Sequence, residues 1–405
     1  MAEEKAAMEQ GLFERDKLTG DWGGLRSAME DKGLSFEIVY KGEFARLFTG
    51  GVEPNSKTMY LDNLDLKFTL DTEKAGMWEG GALFFHGLAN NGDDPSTFVG
   101  DTQVTSNIES NDTTRVYQLW YEQTLYDKQL AILFGLHDFN SEFFTSEYAG
   151  LFLNSSFGIG PSVSHAVPVS IFNVSAIGLR IKAELAENFG LLAAVYDGNP
   201  GDPYQNMNGL DIKIDEPNEG LMEVMELQYG IGGEESAFLP GKYRLGVWWH
   251  TGKFEDVRMM DADGNPVVHK ESSGFYITFD QLVYETHEGH GLAIFGQYGV
   301  APKTHSQISD YFGGGLHYMG IFPGRDNDMA GIAVAYAKIS DDLAQTSKDV
   351  DGVDLTAETT YEFTYRAEIF PWLFIQPDFQ IVVNPGGDTN AKTAQVGYIR
   401  TQVNF

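Results

Sequence analysis

The sequence predicts an all-β fold, a transmembrane antiparallel β-barrel of about sixteen strands with a short helix ahead of it and one long loop folded inward. Three observations carry this. Apolar and polar residues alternate with period two from about residue 33 to Phe405, the pattern of strands with one greasy and one wet face. No stretch approaches the roughly 20 consecutive apolar residues that a membrane helix needs, so a chain like this crosses a bilayer as strands. The breaks between alternating segments are short and long, the asymmetry of a barrel with tight turns at one end and long loops at the other.

Taken in order, the chain starts with MAEEKAAMEQ, which is acidic, lacks an apolar core and reads as an exported chain whose secretory signal is gone. The segment from Trp22 to Gly33 reads as a short helix stopped by Gly33. Residues 1–32 are therefore expected to form a periplasmic segment and residues 33–405 the barrel. In the first strand Phe36, Ile38, Tyr40 and Phe44 oppose Ser35, Glu37, Lys41 and Glu43. Leu64, Leu66, Phe68 and Leu70 then alternate with Asp65, Lys67, Thr69 and Asp71. The pattern returns at Ile177, Leu179 and Ile181 against Arg180, Lys182 and Glu184, and at Tyr243, Leu245, Val247 and Trp249 against Arg244 and His250. Late in the chain Tyr361, Phe363 and Tyr365 oppose Glu362, Thr364 and Arg366, and the last strand ends on Phe405. Several runs exceed the usual globular strand of about 5–6 residues and suit a tilted spanning strand. Strand centres fall near residues 40, 66, 85, 119, 133, 180, 193, 226, 247, 278, 295, 315, 334, 364, 379 and 399. An even number puts both chain ends on one side.

Long breaks occur at 91–112, 139–174, 198–220, 254–272 and 341–357, and short ones at 125–128 and 186–188. The longest contains the apolar run from Phe152 to Pro161, which water would not hold as a free loop. Folding into the barrel would bury it and narrow the passage.

Composition agrees and excludes. Hydrophobic residues make up 42% and the mean hydropathy is −0.25, as expected where alternate side chains face a wet lumen. Aromatics reach 13%, fitting interfacial girdles, and the absence of cysteine removes disulfides and thiolate metal sites. A net charge of −32, from 27 Lys+Arg against 59 Asp+Glu, argues against a nucleic-acid partner. Acids in turn-rich segments such as Asp341-Asp342 and Asp349 to Asp351 read as hydrated loops, with divalent-cation bridging to anionic lipid headgroups outside the cell as the lesser reading.

On this register the lumen parity supplies mixed donors, acceptors and flat aromatic faces, which a diffusion channel needs in order to bind its solute weakly. The candidate solute contacts at the constriction are Arg180, Arg244, Arg366, Trp120 and Trp248, with Glu142, Glu147, Asn154 and His165 from the inward loop. Lys67, Asp65, Lys182, Glu362, Glu368, Asp378 and Arg400 are expected along the pore. Most lumen charges need only hydrate or pair across the wall. Glu362 and Glu368 do not make a glycosidase pair on spacing alone. His287 and His290 in a Gly-rich turn lack a metal-ligand pattern, and Gly313 to Gly315 lack the Lys-Ser/Thr of a phosphate loop. No enzyme, cofactor or metal is expected.

Five ordered stretches resemble the OprB-type carbohydrate-selective porins: Leu18 to Arg26 (LTGDWGGLR), Phe152 to Pro161, Tyr196 to Pro203 (YDGNPGDP), Phe322 to Arg325 (FPGR), and Gln376 to Gln380 with Asn384 to Gly387. They span nearly the whole chain. The resemblance implies a sixteen-stranded outer-membrane barrel, a constriction built partly by an inward loop, and passive uptake of monosaccharides or other sugars. Outer-membrane lipids and lipopolysaccharide, the barrel-assembly machinery acting on Phe405 and, by analogy with general porins, a homotrimer are the expected partners. The chain departs from the family in its acidity, since members known for sugar uptake often carry a basic constriction. A barrel for small carboxylates or cations, and a soluble β-rich carbohydrate-binding protein, are the alternatives.

Overall fold

The structure, a computed structural model, describes residues 11–53, 57–212, 214, 219–232, 238–287 and 289–405. The acidic start at residues 1–10 and Glu288 of the Gly-rich turn lie outside the described residues. The first strands are β1 (Leu34–Gly51), β2 (Thr58–Asp71), β3 (Gly81–Gly92), β4 (Thr113–Leu125), β5 (Leu130–His137) and β6 (Ala176–Ala186). Next come β7 (Phe189–Asp197), β8 (Leu221–Ile231), β9 (Gly241–His250), β10 (Phe254–Met260), β11 (Pro266–His269) and β12 (Ser272–His287). The last are β13 (His290–Val300), β14 (Ile308–Met319), β15 (Met329–Ile339), β16 (Ala357–Phe370), β17 (Leu373–Val383) and β18 (Lys392–Asn404).

Among the described residues all of these except β10 and β11 join one closed antiparallel barrel, with β1 paired to both β2 and β18. That is sixteen staves, and each expected strand centre falls inside one of them. Closure pairs every strand on both sides, so no edge is left unsatisfied. Chain neighbours are wall neighbours throughout, apart from the small hairpin β10–β11 between β9 and β12.

Period-two alternation converts directly into two surfaces. Leu179, Ile181, Leu245, Val247, Trp249, Ile332, Phe363 and Ile399 lie exposed on the outside, while Arg180, Arg244, Glu362 and Arg400 on the opposite parity are buried within. An apolar outer band of this extent would be a liability in water and is matched by acyl chains.

The N-terminal helix spans Leu25–Glu30, preceded by a 3-10 turn at Trp22–Gly24. The Asp21 carboxylate anchors its start by accepting from the Ser27 amide and hydroxyl at 2.8 Å each. Gly33 ends it at φ +84°, where a Cβ would lie 2.4 Å from the Asp71 carbonyl oxygen. This segment crosses the barrel's closing seam: the Leu18 amide donates to Asn404 O (2.8 Å) and Arg26 Nη2 to Phe405 O (3.0 Å). It therefore sits at the short-turn end, beside both β1 and β18.

Two of the long connections are more ordered than their loop-like composition suggests. Residues 254–272 contain the β10–β11 hairpin, and the acids Asp341-Asp342 open a helix, Asp341–Val350. Ser340 caps that helix by accepting from the Leu343 amide at 3.2 Å. Asp341 and Asp342 in its first turn and Lys348 in its last complement the helix dipole.

Candidate functional site

The connection 138–175 leaves the rim and packs inside the barrel. Phe139, Phe143, Phe144, Phe152 and Phe157 are each fully buried, against Tyr196, Met222, Val224, Trp248, Tyr276, Phe295 and Tyr311 of the inner wall. Hydrophobic burial drives the loop inward. Gly160 permits a close approach, since a Cβ there would meet Phe144 at 2.5 Å and Tyr311 at 2.6 Å.

A loop taken out of water must satisfy its peptide groups, and wall carboxylates and amides do this. Asp280 accepts from the Ser146 hydroxyl (2.6 Å) and the Glu147 and Tyr148 amides (3.1 Å each), and pairs with Arg244 at 2.9 Å. Glu226 accepts from the Phe144 amide at 3.1 Å and Tyr276 Oη at 2.7 Å. Glu362 accepts from the Leu153 and Asn154 amides. Gln376 and Gln297 donate to the Leu151 and Phe157 carbonyls, at 2.7 and 2.8 Å.

A second connection, 93–112, also folds inward, which the sequence reading did not foresee. Val99 and Ile108 bury against Leu47, Leu61, Val382 and Val396. Glu358 accepts from the Thr102, Gln103 and Gly386 amides at 2.8, 2.9 and 2.7 Å. The two loops touch: the Asn107 amide donates to Leu153 O (2.7 Å) and the Ser155 amide to Val104 O (2.9 Å). Two carboxyls of the second loop hold their protons unusually tightly. Burial pushes Asp101 up to about 6, and burial together with the Asp101 charge pushes Glu109 up to about 8.

What the loops leave open is a lumen with two lobes. One, of 830 Å³, is lined by Lys41, Asp65, Glu147, Tyr148, His317, Arg366 and Arg400 among others. The other, of 800 Å³, is lined by Glu37, Lys67, Phe84, Trp120, Glu122, Glu142, Arg180 and Lys182 among others. Asp65 joins them, bonded to Lys41 (3.2 Å) in the first and to His86 (2.9 Å) in the second.

The first lobe sets three cations (Lys41, Arg366, Arg400) against two carboxylates (Asp65, Glu147). The second sets four (Lys67, Lys128, Arg180, Lys182) against five (Glu37, Glu122, Asp138, Glu142, Glu184). The lining is thus balanced although the chain carries −32. Most of these charges are paired. Arg180 bonds Glu142 through Nε (2.5 Å) and Nη2 (2.9 Å) and Glu122 at 2.6 Å, Arg400 bonds Glu43 and Asn107, and Lys67 bonds Glu37 at 2.8 Å. Beside Arg180, Phe84 and Trp120 stack with centroids 4.7 Å apart and planes 20° apart, a flat aromatic surface bordering the open lobe.

Of the expected contacts, Arg180, Trp120, Glu142, Lys67 and Lys182 meet in one lobe and Glu147, Asp65, Arg366 and Arg400 in the other. Five others are corrected. Asn154, on the 138–175 loop itself, is buried against Gln380, and Arg244, Trp248, Glu362 and Asp378 are buried because the inward loops cover the wall they project from. Their parity is inward, but inward here means into a packed seam. Glu368 lies at the short-turn rim, accepting from Asn327 at 2.8 Å, and His165 at the opposite mouth faces Gln307 at 3.4 Å. Burial lowers the His165 imidazole below its usual range.

Asp280, Glu226 and Glu358 were missed as loop anchors. Their alternation with Phe279, Leu227 and Thr359 assigns them inward, but their partners are peptide N–H groups, which carry no residue-type signal. Phe84 was missed because its stacking partner lies on another strand.

Comparison with known proteins gives a consistent picture. The profile of the carbohydrate-selective porin, OprB family, matches residues 56–405. The chain is 28% identical to Porin B of Pseudomonas aeruginosa over 426 aligned positions, covering 96% of this chain and 91% of that one. It is 24% identical to the putative porin QuiX of Acinetobacter baylyi, covering 97% and 94%. Among solved structures, the high-pH structure of Pseudomonas putida OprB superposes with a TM-score of 0.87 at 26% identity, covering 98% of this chain and all of that one. With the closed barrel and the inward loops, this makes the chain a member of the OprB family of carbohydrate-selective porins, an outer-membrane sugar porin.

Proposed function

We propose that the channel passes neutral, hydroxyl-rich solutes of monosaccharide size, and that they slide along the Phe84–Trp120 surface beside the Arg180–Glu122–Glu142 cluster. The observation that carries this reading is the balance of charge in the lining, where most cations are already held by carboxylates. Such paired groups offer donors and acceptors to hydroxyls without a net field for an ion, and weak multi-site contact lets a solute leave as readily as it enters. The aromatic surface suits the flat apolar face of a pyranose.

Two loops fold into the barrel and take up part of its cross-section, which favours single sugars over longer ones. Swelling of proteoliposomes tests this: glucose should enter fastest, maltose more slowly, and gluconate and glucosamine no faster than glucose. A faster rate for either charged sugar would reject neutral selectivity. Residues 1–32 are assigned to the periplasmic side in the same reading. Lipopolysaccharide, barrel-assembly machinery acting on Phe405, and a homotrimer are its proposed partners, the last decided by the mass of the detergent-solubilised protein.

A further inference from the structure

We propose that the outer wall of the barrel holds one acyl chain of a zwitterionic aminophospholipid of the periplasmic leaflet, with the headgroup on Arg325 and Asp326. The wall across β13–β17 is not uniformly bulky. In the ladder, Tyr318 lies opposite Ala330 and Ala330 opposite Tyr365, so a single methyl sits between two phenol rings. Two strand spacings separate those rings, about 9–10 Å. Once the rings' own thickness is allowed for, the gap admits one alkyl chain and excludes a helix. Leu292 and Pro377 flank the slot, Ile332 and Phe363 close its far end, and it encloses 570 Å³ with a mostly apolar lining.

The slot opens toward the turn between β14 and β15, at the short-turn end where β1 begins and β18 ends. Ile321 of that turn lines it, and Phe322 meets the Tyr365 ring edge-on at 5.9 Å. Arg325, the one cation of the turn, is 42% exposed and fixed by Asp328 through Nε (2.7 Å) and Nη2 (2.8 Å). Asp328 is buried and also accepts from Tyr365 Oη, so the guanidinium is tied to the ring that walls the slot. Its outer edge faces the headgroup level, where a phosphate can accept from it. Asp326 is exposed beside it. A purely anionic headgroup satisfies Arg325 but meets repulsion from Asp326. A phosphate–ammonium headgroup satisfies both.

Native mass spectrometry of the full-length porin, released from vesicles of equal phosphatidylethanolamine and phosphatidylglycerol, tests this. One phosphatidylethanolamine adduct should persist on the wild-type chain in preference to phosphatidylglycerol. Ala330→Phe, which fills the slot from outside and leaves the lumen untouched, should reduce it about tenfold, with Arg325→Gln also reducing it and Arg325→Lys retaining more. Unchanged glucose-driven swelling in Ala330→Phe shows that the barrel is intact and separates this test from that of sugar passage. An adduct that survives Ala330→Phe, equal retention of both lipids, or a second protein chain in place of the lipid would overturn the proposal.

Discussion

The inner faces of β7–β9 and β12–β15 carry Tyr196, Met222, Val224, Trp248, Tyr276, Phe295 and Tyr311, and lie under the 138–175 loop. The inner faces of β1–β6 carry Glu37, Lys67, Phe84, Trp120, Glu122 and Arg180, which line an open lobe, while Leu47 of β1 and Leu61 of β2 pack under the 93–112 loop. Both are inward parity of the same sheet. One stretch of inner wall is a hydrophobic core in the ordinary sense, and the other borders the channel, whose remaining lobe is lined by His317 and Met319 of β14 and Arg366 of β16. In the first half a charged residue anchors a loop. In the second it borders the open lumen.

The comparison can be broken most forcefully from the packed side. Phe152→Ala removes a ring packed on Phe157 and Phe295, at a cost of about 3–5 kcal/mol, which the loop's docking must absorb. The outer sheet should survive as a heat-modifiable barrel, while single-channel conductance rises and the glucose-to-maltose swelling ratio falls toward one. Unchanged conductance would mean that the loop does not narrow the passage.

Glu362→Gln keeps the shape but replaces one of the two oxygens that accept the Leu153 and Asn154 amides with an NH2 group that cannot accept, a loss of about 1–3 kcal/mol. Excess open-channel current noise, from a loop that unlatches and returns, is the expected sign.

Acidity should sharpen the comparison reversibly. Asp101 and Glu109 bind protons more tightly in the docked 93–112 loop than in an undocked one, with docked values near 6 and 8. Their contribution to docking is therefore fully present below the ordinary carboxylate range and is lost as pH rises through about 6 to 8. Conductance should increase between pH 5 and pH 9, and Glu109→Gln should flatten that profile. A flat wild-type profile would place these carboxyls outside any docking equilibrium.

On the open side effects should fall on selectivity. Arg180→Gln leaves Glu122 and Glu142 facing the water, so the reversal potential in a salt gradient should move toward cation preference. The smallest effect is expected from Lys67→Gln, which breaks an exposed pair with Glu37 and should change stability by no more than about 1 kcal/mol in a denaturant titration.

Much of the fold was legible because period two is a covalent fact of an extended chain: Leu179, Arg180 and Ile181 cannot share a face once the segment is a strand. The helix stop at Gly33 was legible for a similar local reason. The site was legible only in part. Arg180 and Trp120 border one lobe of the lumen, whereas Trp248 and Arg244, of the same parity, lie under a loop.

By itself the sequence determined which segments are barrel strands, which face of each meets lipid, where the long connections fall, and that the apolar run from Phe152 to Pro161 must leave water. Tertiary structure alone decided which half of the lumen that run covers, that residues 93–112 follow it inward, and that the inward acids divide between peptide anchors and channel lining. The physical reason is that alternation is fixed by neighbours one and two residues away. Covering a wall depends on contacts such as Gln376 to Leu151 and Glu358 to Thr102, which lie 225 and 256 residues apart.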